Sequence, residues 1–116
     1  MHKEDLERRI TQIQNSLQGL DIYSIILFGS CSQGNNSEES DIDLLVILDS
    51  DEIPESFEKR MEMKLSIRKS LRTINSQTPI DLLVYTKKEY ELLQSEENAF
   101  LEEIKSTGKI IYEKAG

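Results

Sequence analysis

Tryptophan is absent from this chain, cysteine and histidine occur once each, and proline only twice. A lone Cys31 cannot close an intramolecular disulfide. Without Trp, any core must rest on Leu, Ile and Val with a few Phe and Tyr. No apolar run reaches the roughly 18 residues that suggest a membrane-crossing helix, so no membrane is expected as a partner. The charged opening Met1-His2-Lys3-Glu4-Asp5 leaves no room for a hydrophobic targeting region, and the expected location is the cytoplasm. Basic residues are also short: 14 Lys and Arg face 22 Asp and Glu, for a net charge of −8. Neutralising a phosphate backbone needs clustered cations, so direct nucleic-acid binding is excluded as a main role. The same acidity suits a partner with a basic face, or a site that concentrates divalent cations.

What is present is a globular composition, 37% hydrophobic and 31% charged over 116 residues. That length fits one domain spanning residues 1–116, too small for a separate substrate domain. Leu6, Ile10, Ile13 and Leu17 form an apolar stripe on a helix over Lys3 to Gln18, with Gly19 as its stop. Ile22 to Phe28 is rich in branched and aromatic residues and reads as a buried strand that ends abruptly at Gly29-Ser30. The small and polar residues Cys31 to Ser40 form a connection, and Asp41 to Leu48 is a second strand. A long helix from near Pro54 to Asn75 is predicted, with Phe57, Met61, Leu65, Ile67, Leu71 and Ile74 at roughly helical spacing. Pro79 introduces a third strand, Ile80 to Tyr85. Thr86 with Glu89 has the capping-box pattern of a short helix. Ser95 is the expected cap of a further helix carrying Ala99, Phe100, Leu101 and Ile104, and Lys109 to Tyr112 is a last strand. This alternation predicts an α/β (α+β) fold, a sheet with helices packed on it.

One arrangement carries chemistry. A strand ends in Gly29-Ser30, ten residues follow, and Asp41-Ile42-Asp43 opens the next strand. A glycine past a strand permits a sharp backbone path close to a ligand, and a serine beside free amides suits a phosphate. Strand residues two apart share a face, so the Asp41 and Asp43 carboxylates lie together while Ile42 points into the core. Two such carboxylates repel unless protonated or bridged, and hard oxygen donors select Mg²⁺ that also holds substrate phosphates. Pro79-Ile80-Asp81-Leu82-Leu83-Val84 repeats the acid-then-apolar design. On a neighbouring strand, Asp81 would complete a three-carboxylate site able to hold two metal ions.

Gly29-Ser30, a spacer, Asp41-x-Asp43 and a later strand acid together resemble the signature of the DNA polymerase beta-like nucleotidyltransferase superfamily. The short length and the closing Gly108-Lys109-Ile110-Ile111-Tyr112 are similar to its minimal nucleotidyltransferase branch. The resemblance implies a mixed central sheet of about four strands flanked by helices, with ATP as donor and two Mg²⁺ ions. It also implies metal binding by Asp41, Asp43 and Asp81, a role for Asp81 in activating the attacking hydroxyl, and a triphosphate held by Gly29 and Ser30. Members of this branch commonly act as antitoxins that add AMP to a tyrosine of an all-helical HEPN-type toxin. The family often has Arg just after Gly-Ser, where this chain has Cys31-Ser32-Gln33. Two other readings therefore stand beside the enzyme: a binding module that neutralises a partner by complex formation, and a small-molecule nucleotidyltransferase completed by dimerisation. The basic residues of the long helix read as a solvated face balanced by Glu55, Glu58 and Glu62, and Cys31 as a small packed residue.

Overall fold

A computed structural model describes residues 3–29, 32 and 41–115. Its elements run α1 (Lys3–Leu17), β1 (Ile22–Phe28), β2 (Ile42–Leu48), α2 (Phe57–Ser70), α3 (Arg72–Gln77), β3 (Ile80–Thr86), α4 (Lys87–Ser95), α5 (Ala99–Thr107) and β4 (Lys109–Glu113). The strands form one four-stranded mixed sheet in the order β3-β2-β1-β4. β1 lies antiparallel to both β2 and β4, whereas β2 and β3 are parallel. The fold is thus the expected α+β arrangement, a four-stranded mixed sheet with flanking helices.

Strand alternation sorts the side chains onto two unlike faces. On one, Ile25 and Leu27 of β1, Ile42, Leu44 and Val46 of β2, and Ile80, Leu82 and Val84 of β3 are buried with Ile13 and Leu17 of α1, Ile67 of α2, Ile74 of α3 and Leu71 between those two helices. On the other, Ile26, Leu45 and Ile47 meet Leu101 and Ile104 of α5, and half-buried Tyr23, Phe28, Leu83, Tyr85, Tyr90 and Leu93 complete the layer. The α1 stripe behaves as its spacing requires, since Ile13 and Leu17 are buried and Leu6 and Ile10 pack against the same cluster. Gly19 follows with φ +90, a conformation that costs other residues strain.

Four local expectations need correction. The long helix starts at Phe57 rather than near Pro54, because the Ser56 side chain accepts a hydrogen bond from the Lys59 amide and caps it. It is also interrupted at Leu71, whose ψ of 6 leaves the helical range and whose N–H is shared between the Ile67 and Arg68 carbonyls before α3 begins. Of its supposed apolar face, Phe57 and Leu65 are exposed, at 75% and 55%, while Ile67, Leu71 and Ile74 are buried. The cap of α5 is Asn98 rather than Ser95, with Asn98 Oδ1 accepting from the Leu101 amide at 3.1 Å. Ser95 instead ends α4, its hydroxyl donating back to the Leu92 carbonyl.

The Thr86–Glu89 capping box forms as read: the Glu89 amide donates to Thr86 Oγ1, and the Thr86 amide to Glu89 Oε1. Glu89 is nearly buried and pairs with Arg60 of α2, whose guanidinium also stacks over the Tyr85 ring. One cation of the long helix therefore clips α2 to α4. Among the described residues no helix is long and apolar enough to cross a membrane.

Candidate functional site

The acids are placed by the pairing of β2 with β3. These strands are parallel and in a register that sets Asp43 opposite Asp81, Leu45 opposite Leu83 and Ile47 opposite Tyr85. Two bonds secure the entry to both strands: the Ile42 amide donates to the Pro79 carbonyl at 3.0 Å, and the Ile80 amide to Asn75 Oδ1 at 2.9 Å. Asn75 at the end of α3 thereby sets where β3 begins, and with it where Asp81 stands. Leu45 and Ile47 are buried beneath α5, so the alternation that buries them also turns Asp43 to the same face. There the cover of helices stops short, and both Asp43 and Asp81 line a cavity. Asp41 lies one residue before β2 and is exposed.

Gly29 belongs to the same site by contact. Its φ is +73, and a Cβ there would collide with Asp43 Oδ2. The turn needs glycine twice over, for its left-handed backbone and for the close approach of the carboxylate. Ser32 holds this turn: its amide and its hydroxyl both donate to the Gly29 carbonyl, at 3.2 and 2.7 Å. Ser30 and Cys31 lie outside the described residues, as do residues 33–40 of the connection.

The electrostatics match three like charges gathered on one surface. The Asp43 carboxyl is raised above its ordinary value of 3.8, first by burial, then by the negative charges of Asp81 and Asp41. Among the described residues no three His, Cys, Asp or Glu side chains converge tightly enough to form a metal cage. Asp41, Asp43 and Asp81 are near enough to repel without closing on one point. The donor set nonetheless suits Mg²⁺ in kind, since it is all carboxylate oxygen and carries a repulsion that a cation would relieve.

The cavity beside the acids measures about 360 Å³ and is lined by Phe28, Gly29, Asp43, Asp81, Leu83, Phe100, Glu103, Ile104 and Thr107. Its α5 wall was not foreseen from the sequence, where Phe100 reads as part of a helical core face. The ring is instead half exposed and meets Phe28 edge-on, with centroids 6.0 Å apart. A signal was available in the helix itself. Phe100, Glu103 and Thr107 are spaced three and four apart and mix one aromatic with two polar groups, a combination unlike a core stripe. Gly108 lets this helix approach the sheet, for a Cβ there would stand 2.9 Å from Ile26 Cγ2 and 3.2 Å from the Leu27 carbonyl oxygen. Two further cavities of about 290 Å³ lie away from the acids, one against α1 and Tyr112, the other between β1, α4 and α5.

Comparison with known proteins agrees with this fold. No curated protein is similar enough in sequence to match. Solved structures share the fold, three of them as follows. One is a toxin–antitoxin with AMP-PNP, 22% identical, with a TM-score of 0.53 over 93% of this chain and 73% of that one. A Sulfolobus solfataricus protein assigned as a nucleotidyltransferase is 16% identical, with a TM-score of 0.62 over 96% of this chain and 86% of its own. A toxin–antitoxin MntA–HpeT with a double Asp-to-Glu substitution is 19% identical, with a TM-score of 0.51 over 94% and 73%. The family described as polymerase beta, nucleotidyltransferase matches residues 11–115, a span holding both strand acids, the Gly29 turn and every element of the sheet. With nearly its whole length matched, the chain belongs to the polymerase beta nucleotidyltransferase family.

Proposed function

We propose that the protein is an antitoxin of the minimal nucleotidyltransferase kind, transferring AMP from Mg²⁺-ATP to a hydroxyl of a partner toxin. The observation that carries this is the facing pair Asp43 and Asp81 on parallel strands, with the Asp43 carboxylate seated against Gly29. A carboxylate pair beside a glycine turn is a site for a metal-bound phosphate chain. In this reading Gly29 and Ser30 hold the triphosphate, Asp41 and Asp43 hold metal, and Asp81 binds metal and takes the proton of the attacking hydroxyl. That hydroxyl oxygen bonds to the α-phosphorus, the bond from the α-phosphorus to the bridging oxygen breaks, and pyrophosphate leaves. Bound magnesium, two ions in the full site, supplies positive charge to the phosphates as negative charge shifts onto the leaving oxygen.

We take the acceptor to be a macromolecule, a hydroxyl carried on the partner toxin. The structural likeness to toxin–antitoxin assemblies, one of them with AMP-PNP, supports a toxin partner and an adenine nucleotide. The related complex with a double Asp-to-Glu change draws attention to a pair of aspartates, as Asp41 and Asp43 do here. We take the partner to be a HEPN-type toxin and the acceptor a tyrosine, both in the cytoplasm.

Purified protein mixed with labelled ATP, Mg²⁺ and the product of the adjacent gene should label that product. Asp41→Asn/Asp43→Asn should abolish labelling, and a wild type that neither binds Mg²⁺-ATP nor labels anything sinks the proposal. A second reading, neutralisation by occlusion alone, is favoured by Cys31-Ser32-Gln33 standing where the family often has Arg. Under it the double Asp variant would protect cells from the toxin as fully as wild type.

A further inference from the structure

We propose that Phe100 is the platform on which the donor's nucleobase stacks. The inference rests on the nucleotidyl-transfer reading above and assigns the part of the cavity that the carboxylates leave unexplained. Phe100 stands in the first turn of α5, fixed from below by the Asn98 cap and from the side by the edge of Phe28. Phe28 thus supports the ring from one side, while 49% of the residue remains accessible. What sets this ring apart from the other exposed apolar side chains is that it lines the cavity of the acids.

The choice of occupant follows from continuity. The cavity that bares Phe100 is the same one that bares Asp43, Asp81 and Gly29, with Leu83 as a further apolar wall. Its size, about 360 Å³, falls in the range of small-ligand sites. A nucleotide is the ligand that joins a chain of phosphates for the acid end to a flat π face for the aromatic end. Base–aromatic stacking needs no particular base edge, because every base has such a face. The acceptor side chain, in contrast, is carried on a folded partner and must enter from the solvent side. Phe57, the other strongly exposed phenylalanine, lies on α2, which packs on the opposite face of the sheet and does not line this cavity. Purines offer more stacking area than pyrimidines, so the platform favours ATP and GTP over CTP and UTP.

The absence of Trp makes the test direct, because Phe100→Trp introduces one tryptophan at the platform itself, excited selectively over the four tyrosines. Calorimetric titration of the full chain with Mg²⁺-ATP and with Mg²⁺-tripolyphosphate separates base from phosphate. Phe100→Ala should weaken ATP binding roughly tenfold and leave tripolyphosphate binding unchanged. Phe100→Trp should keep ATP affinity near wild type, with its emission quenched by ATP and not by tripolyphosphate. If Phe100→Ala binds ATP as wild type does, or loses both ligands equally, the assignment is wrong. It is equally wrong if ATP binding survives while labelling of the partner is lost, which would place the acceptor on the ring. In each of these cases wild type still binds tripolyphosphate, so the transferase reading stands. A wild type that binds neither ligand overturns both. Should Phe100→Ala fail to fold, the Trp variant decides alone: emission indifferent to ATP refutes the platform.

Discussion

The two faces of the sheet are built from the same strands and put to different ends. Among the described residues, one carries fourteen buried apolar residues drawn from α1, α2, α3, the junction at Leu71 and three strands. The other buries five and surrounds them with half-covered rings. Every second residue of β2 and β3 goes to each face, so Ile42, Leu44 and Val46 sink into the first while Asp43 heads the row that runs on into Leu45 and Ile47. The lesson is that a strand need not change composition to change role. Cover by helices decides it, and on the second face α5 stops beside the acids instead of over them.

That contrast can be broken by substitution. Leu44→Ala, in the fully buried face, should cost about 3 kcal/mol in urea unfolding, whereas Leu83→Ala, on the open face, should cost about 1. Equal losses would mean that the faces are packed alike. Gly29→Ala tests the junction of turn and acid. A left-handed φ at a non-glycine residue costs about 1–2 kcal/mol, and the new methyl must displace the Asp43 carboxylate. Mg²⁺-ATP binding should therefore fall by more than the stability loss explains, and a variant that binds as wild type would separate Gly29 from the site.

Asp43→Asn sharpens the comparison in the opposite direction. It removes one of three mutually repelling charges, so the melting temperature should rise by roughly 2–4 °C while metal binding and transfer are lost. A fall in melting temperature would show that the acids support the fold instead of straining it.

The smallest effect belongs to Lys114 and Asp49, a surface pair remote from both. A side-chain hydrogen bond to Lys114 holds the Asp49 carboxyl below its ordinary 3.8. The folded chain then binds that proton less readily than the unfolded one, so the contribution is complete above 3.8 and vanishes as pH falls through the lowered value. The same bond raises Lys114 above 10.5, so its contribution is complete below 10.5 and is lost as pH rises through the raised value. Lys114→Ala should thus lower the melting temperature by about 1 °C near neutrality and by nothing at either extreme. A larger neutral-pH deficit would give β4's end an unexpected part in the fold.

Much of this was legible beforehand. The strands were readable because branched apolar runs bounded by Gly, Asp and Pro have few other uses, and the Thr86–Glu89 box because its reciprocal bonds are local. The acids were readable because a carboxylate heading a buried strand has to emerge at its mouth. Misreadings came where a choice between neighbours depended on distant contacts. Ser56 and Asn98 start the two helices in place of Pro54 and Ser95, and from those starts Ile67, Leu101 and Ile104 reach their clusters. Phe57 and Leu65 sit at helical spacing with Met61, yet the axis of α2 turns them outward.

Gly29 returns in a sharper form. From sequence alone, glycine after β1 permits a turn and the approach of a ligand, and Asp41 and Asp43 share a face because strands repeat every two residues. These are local consequences of covalent geometry and hold before the chain folds. Only the tertiary structure brought Asp81 opposite Asp43, pressed the Asp43 carboxylate onto Gly29, and set Phe100 beside them. Strand order, register and the reach of α5 decide those contacts, and each depends on side chains far apart in the chain finding one another in a common core.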